Sequence, residues 1–306
     1  MAWGCRVRLN ADMDKSGLIG VLAAAASSLL GGSAVAFTRL AVRNVDPLAV
    51  ATIRYGIAAI CLLPVLFLMR LPAGRRNWPA IVILALVFFA LFPLLFTTGL
   101  SHTSAARGAM ALATMPIQTM LLGALLGIER LTARKLAGVS LAFFGVAFAL
   151  SQSLGAGAPA EALKGDLLLA LTASVGAGFN VAARRYLQRV PALLFTAGGS
   201  LLGSAALALG LAVSGGLTLP QIPADAWWAL AYLGVFGGAL TFVLWNYALE
   251  RASPTRVAVA VGLNPVSAML LGAALLDETI TAGLIAGLAM VIVGIALANW
   301  SARRPG

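Results

Sequence analysis

Apolar residues gather in ten long runs along the chain, each near twenty positions and each bounded by a short polar stretch. About 20 such residues in a row cross the hydrocarbon of a bilayer as an α-helix. Barrel strands are shorter and alternate apolar with polar, so the pattern predicts helices. They fall at 17–40, 47–69, 78–100, 104–127 and 133–152, then at 165–187, 191–213, 225–249, 254–276 and 279–300. Pro47 and Pro191 open the second helix of each set of five, where a missing N–H costs little. Trp78 and Trp227 begin the two third helices and Trp300 closes the last, positions that suit an aromatic belt at the membrane surface.

The second five runs repeat the first. Leu100 to Ala149 aligns without a gap onto Leu249 to Ala298, 149 positions on, and roughly twenty of about fifty residues are identical. Arg107 pairs with Arg256, Pro116 with Pro265, Glu129 with Glu278, and Gly145 with Gly294. An odd number of crossings per copy sends the second copy into the membrane upside down. Residues 1–152 are therefore expected as an N-terminal five-helix unit with its polar tail, 153–164 as an outer linker, and 165–306 as an inverted second unit. The expected fold is an all-α membrane protein whose two inverted five-helix repeats surround a central cavity, a common plan for carriers that open to each side in turn. Glycine pairs at 123/127, 199/203, 234/238 and 283/287 have the spacing that lets helix backbones approach closely.

Composition agrees with a lipid environment: 61% of residues are hydrophobic and 10% charged, where a soluble domain carries about 25% charged. The net charge of +11 would suggest nucleic acid in a soluble chain, but the basic residues sit in short loops. With the N-terminus in the cytoplasm, sixteen Lys and Arg fall inside and only Arg39, Arg43, Arg107 and Lys164 outside. That asymmetry places both termini in the cytoplasm. Arg6, Arg8 and Lys15 precede a run ending Ala34-Val35-Ala36, which has the look of a cleavable signal. Nine further runs favour an uncleaved first helix, and Met13 is an alternative start. Cys5 lies in the tail and Cys61 in an apolar run, so neither disulfide nor metal site is expected. His102 is the only histidine. With no clustered acids, His or Cys, an enzyme is not expected, nor a cofactor. No Gly-rich phosphate loop with Lys and Ser/Thr is present, so ATP is not expected as the energy source.

The recurring pattern is a central proline, a Leu-Leu-Gly run, Glu, Thr, and a following helix with spaced glycines. It reads Pro116, Leu121, Leu122, Gly123, Glu129, Thr132, Gly138, Gly145, and again Pro265, Leu270, Leu271, Gly272, Glu278, Thr281, Gly287, Gly294. With Arg54 inside the second run, the whole chain resembles the drug/metabolite transporter superfamily and, within it, the ten-helix EamA family. The resemblance implies a carrier of the bacterial-type inner (plasma) membrane, with the YddG-like amino-acid exporters as the branch suggested. The halves differ at Arg54, whose counterpart lies near Gly198.

Arg54 lies about eight residues into its helix, hence roughly 12 Å deep. An arginine near a helix centre costs on the order of 2.5–3.5 kcal/mol on insertion scales. Two readings stand: a bidentate partner for a substrate carboxylate, or a structural cation bonded to helix-end carbonyls. The acidic residues sit at helix ends, in loops or in the tail, which disfavours the buried-carboxylate antiport of the superfamily's small multidrug members. Gln118 and Asn264 beside the two central prolines, Asn180 with Phe179, and Trp245 are further candidate substrate contacts, with interhelical packing as the rival account and, for Trp245, a place at the inner membrane interface. Arg107, Glu129, Arg256 and Glu278 are candidate gates at opposite faces, or helix-end charges bonded to neighbouring loops. The function expected is a secondary transporter of small metabolites, amino acids foremost, exporting by alternating access. A carrier of other metabolites or drugs (nucleotide sugars, phosphate esters, or an importer) and a channel are the alternatives. The oligomeric state is open.

Overall fold

The computed structural model describes residues 2–69, 78–128, 131–154, 160–215, 222–276, 280 and 282–299. Every regular element among them is a helix. The first half comprises α1 (Ala2–Ala41), α2 (Pro47–Leu68), α3 (Trp78–Leu86), α4 (Phe92–His102), α5 (Ala105–Leu112), α6 (Met115–Leu125) and α7 (Ala133–Leu154). The second comprises α8 (Ala160–Leu187), α9 (Ala192–Val213), α10 (Ala224–Tyr232), α11 (Thr241–Arg251), α12 (Pro254–Val259), α13 (Asn264–Leu276) and α14 (Ala282–Asn299). A π segment, Val87–Leu91, joins α3 to α4, and another, Leu233–Leu240, joins α10 to α11. The two third runs are thus interrupted at matching places. Such π turns insert an extra residue per turn and often mark functional sites.

Seven helices among the described residues are long and apolar enough to cross a membrane. The fourth predicted crossing, 104–127, is divided between α5 and α6. Pro116 has no N–H to give the carbonyl of Leu112, and α5 ends at that residue. Pro265 stands four residues after Val261, where the chain tightens into a 3₁₀ turn over Ala260–Leu263. Met115–Leu125 and Ile285–Gly294 are shorter apolar helices. Glu129, Glu278 and Trp300 lie outside the described residues.

Helix starts follow local chemistry. Asp46 caps α2, its Oδ1 accepting from the N–H groups of Leu48 (2.9 Å) and Ala49 (3.1 Å), with Pro47 at the first helical position. Close approach is set by glycine. A Cβ at Gly145 would lie 2.6 Å from the carbonyl of Gly287, and one at Gly294 would lie 2.5 Å from that of Gly138. Helices α7 and α14 therefore meet backbone to backbone. Gly199 and Gly203 of α9 admit Phe89, and Gly234 and Gly238 admit Ile57 and Ala58 of α2. Gly127 departs from the expected seam role: its φ of 66° belongs to a left-handed turn that ends α6.

Polarity is distributed opposite to a soluble fold. Phe67 is 81% exposed and Leu125 85% exposed, and Ile60, Leu209 and Val213 also face outward. Ser27, Ser28, Arg54, Asn180, Asn246 and Asn264 are buried. An apolar exterior around a polar interior requires lipid outside and partners or solvent within.

Candidate functional site

The buried polar groups converge on one cavity. Its wall takes Ser27, Ser28, Gly31 and Val35 from α1, Arg54 and Tyr55 from α2, and Phe88, Phe92 and Phe96 from the third run. Leu112, Met115 and Asn180 continue it, and Thr241, Phe242, Trp245, Val261 and Asn264 complete it from the second half. The free volume is about 80 Å³, well short of the several hundred Å³ of a pocket that encloses a drug-sized ligand. In this contracted form the cavity is too small to enclose such a ligand.

Arg54 is the cavity's only charged wall residue among those described, and it is 4% exposed. Its Nη2 donates to the carbonyl of Gly237 in the second π segment. Gly237 permits this approach, since a Cβ there would lie 3.4 Å from that same nitrogen and 3.0 Å from the Cβ of Ala34. The guanidinium sits 5.6 Å from the ring centroid of Tyr55 and 5.8 Å from that of Phe96, within cation–π range. Its Nε is buried with no hydrogen-bond partner. A guanidinium with one donor bonded and another unused retains capacity for an anion.

Asn180 is tied in. Trp245 Nε1 donates to its Oδ1 at 2.9 Å, while its Nδ2 faces Met115 Sδ at 3.4 Å and Thr119 Oγ1 at 3.5 Å. Trp245 is thereby oriented with its ring on the cavity wall, 7% exposed, and is not an interfacial residue. Asn264 is also buried on the wall, but its Oδ1 has no partner, and neither has Ser28 Oγ. Phe179 stands one layer back, stacked flat on Phe88 with centroids 3.5 Å apart. Gln118 does not line the cavity; its Nε2 donates to Thr114 Oγ1 at 3.1 Å across the break between α5 and α6. Arg54, Asn180, Trp245 and Asn264 are thus brought together, Phe179 supports them, and Gln118 is left out.

Reading the chain for polar groups overlooked the aromatic wall. Tyr55, Phe88 and Phe242 meet edge to face or tilted around Phe89, with centroids 5.1 to 6.0 Å apart. Phe88, Phe92 and Phe96 recur every fourth residue, so they share one helix face. That spacing was the available signal.

Of the candidate gates, Arg107 and Arg256 lie toward opposite ends of the bundle, while Glu129 and Glu278 fall outside the described residues. Arg39 near the end of α1 donates to the carbonyls of Leu100 (2.8 Å) and Ser101 (3.0 Å). Gly20, about 28 Å earlier on the same helix, abuts Arg251 and Ala252. At the first end, Arg107 pairs with Asp166, which also accepts from Thr103 Oγ1 at 2.9 Å, and His102 Nδ1 lies 3.1 Å from Glu161. At the other end, Arg256 is half-buried at the start of α12. Nearby, Glu250 accepts from the N–H of Ala192 at 3.3 Å and pairs with Arg251 at 3.2 Å, while Arg251 lies 3.5 Å over the ring of Tyr247.

Comparison with known proteins agrees with this architecture. The chain is 25% identical to the uncharacterized transporter YyaM of Bacillus subtilis (strain 168), over 91% of this chain and 92% of that one. It is 26% identical to a probable amino-acid metabolite efflux pump of Salmonella typhimurium, over 84% and 87% respectively. A crystal structure with 23% sequence identity superposes with a TM-score of 0.75, covering 95% of this chain and 98% of that one, and so shares the fold. The sequence matches the EamA-like transporter family twice, over residues 18–151 and 163–300. With apolar helices around a polar cavity and both halves matched, this multi-pass membrane protein belongs to the EamA-like transporter family.

Proposed function

We propose that the chain exports amino acids across the inner membrane by alternating access, using two inverted five-helix repeats around the cavity that holds Arg54. Arg54 carries the reading. A lone buried cation with unused donor capacity, set among Phe, Tyr and Trp side chains, suits a small molecule that has a carboxylate and an apolar remainder. The name borne by the Salmonella relative supports amino-acid efflux.

The inverted arrangement is supported by the two family matches and by reciprocal contacts. Gly145 meets Gly287 and Gly294 meets Gly138, an exchange of equivalent partners. Gly31 abuts the Asn264 amide as Gly176 abuts Met115, and Gly20 abuts the carbonyl of Ala248 as Gly165 abuts that of Gly99. A pseudo-two-fold axis between the halves accounts for all three. The cavity in its contracted form then needs one end to part before substrate enters. The excess of Arg and Lys in the loops assigned inside supports cytoplasmic termini, with the Arg107 end facing out.

Counterflow of labelled amino acids in proteoliposomes tests the reading. Uptake against a trans pool of the same amino acid is expected, reduced tenfold or more by Arg54→Ala and partly restored by Arg54→Lys. Equal flux through wild type and Arg54→Ala would remove Arg54 from the substrate site.

A further inference from the structure

The cavity holds a second recognition element, opposite in sign to Arg54. Asn264 Oδ1 and Ser28 Oγ are both buried, both on residues of the cavity wall, and both without a partner. Away from water an unsatisfied buried acceptor is costly, and each of these belongs to a residue that faces the same cavity. Neighbouring polar groups are already committed: Ser27 donates to the carbonyl of Thr241 at 2.7 Å, Ser267 to that of Leu29 at 2.7 Å, and Asn180 is held by Trp245. Among the described wall residues, Asn264 Oδ1 and Ser28 Oγ are the buried oxygens left with no partner, a pair suited to an N–H donor.

We infer that Asn264 and Ser28 form the ammonium subsite for an α-amino acid whose carboxylate is held by Arg54. Helix α1 measures the gap. A Cβ at Gly31 would lie 3.3 Å from Asn264 Oδ1, whereas the Arg54 head lies beside Gly237, whose Cβ position is 3.0 Å from Ala34. Gly31 and Ala34 are three residues apart on one helix face, hence about 4.5 Å along the axis. Ser28 lies one turn on the other side of Gly31. These neighbouring contact points place both groups beside one stretch of α1, where a molecule with a carboxylate and an ammonium on one carbon would reach each through a charge-assisted hydrogen bond of about 2.8 Å. The side chain is left against Phe92, Phe242 and Val35. The glycine is part of the device, because a side chain at 31 would fill the space in front of the amide.

The second half supplies this acceptor alone. The repeat counterpart of Asn264 is Met115, whose sulfur is taken up by Asn180. The site is therefore single, and it gives the bound amino acid one orientation.

This inference rests on the amino-acid reading, so its test keeps the two apart. The twenty common L-amino acids are screened for binding to the purified full-length protein. The tightest binder is then compared with its des-amino carboxylate and its decarboxylated amine, in wild type, Asn264→Met and Ser28→Ala. Wild type should prefer the amino acid over the des-amino acid by about tenfold or more. Asn264→Met should erase most of that preference, weakening the amino acid far more than the des-amino acid, and Ser28→Ala should erase part of it. Equal affinity for the two molecules in wild type, or an unchanged ratio in both variants, overturns the ammonium subsite and leaves the amino-acid reading standing. Binding of none of the twenty overturns both. A rise in melting temperature with sodium ion alone, lost in Asn264→Met, assigns the oxygens to a metal cation and overturns the ammonium subsite.

Discussion

The two ends of the bundle are built on matching backbone contacts and carry different chemistry. At the Arg107 end, Gly165 of α8 abuts Gly99, His102 and Thr103. At the other, Gly20 of α1 abuts Ala248, Arg251 and Ala252, each 149 positions beyond its counterpart. The next residue in each helix is where they part. Asp166 follows Gly165 and joins Thr103 to Arg107; Val21 follows Gly20, and its matching neighbours are Ala252 and Arg256. One end carries an ion pair with a supporting hydroxyl, and at the other the equivalent positions provide no carboxylate. The lesson is that the repeat keeps the backbone geometry, while single residues decide which end is charged.

The strongest way to break the comparison is through the geometry the halves share. Gly145→Leu and Gly294→Leu each drive a side chain into a facing backbone, and each should cost about 3 kcal/mol or more. Equal loss of folded, detergent-stable protein is expected from both; a severe effect from one alone would mean that the seam is not symmetric. Next in size is the site itself, where Arg54 of one half has only a glycine, near Gly198, as its counterpart in the other. Arg54→Ala removes a charge-assisted contact of about 1.5–3 kcal/mol, so transport should fall at least tenfold with little change in melting temperature. Intact flux would place the cation in a structural role.

Asp166→Asn probes the latch. The pair is partly buried, with side chains 13% and 25% exposed, and a linkage of this kind contributes about 1 kcal/mol at most. Its loss should raise the population open at that end about fivefold, read as faster thiol labelling of a cysteine introduced at Ser104 in a background with Cys5→Ser and Cys61→Ser. Unchanged labelling would show that packing, not charge, closes that end. The smallest expected effect is Val21→Asp, which sharpens the comparison by building the missing carboxylate near Arg256. It should slow labelling of a cysteine at Ser253 by about twofold. Slower labelling at Ser104 instead would contradict the placement of the two ends.

How far the sequence led depended on whether a feature was local. The central prolines mark where the two predicted helices 104–127 and 254–276 change, by a break at Leu112–Met115 and a 3₁₀ turn at Ala260–Leu263. Arg54, Asn180, Trp245 and Asn264 stood out because polar groups in apolar runs need partners, and they share one wall. Gln118 met the same criterion and was misplaced, since its amide finds Thr114 one turn earlier on its own segment. Asp166 looked like an ordinary helix-end charge, and its pairing with Arg107 depends on α8 meeting α5 at one rotation, which no local pattern encodes. The aromatic wall was missed because phenylalanine in a membrane run is expected to face lipid as readily as a cavity.

The flat contact between Phe88 and Phe179, rings parallel and 3.5 Å apart, has a consequence for size selection. Two π faces directly over one another repel through their quadrupoles, and offset or edge-on arrangements are preferred. A pair held in its least comfortable posture gives way readily when a guest presses on it. Phe88 is on the wall and Phe179 directly behind it, so a guest too bulky for the chamber would press first on this ring pair.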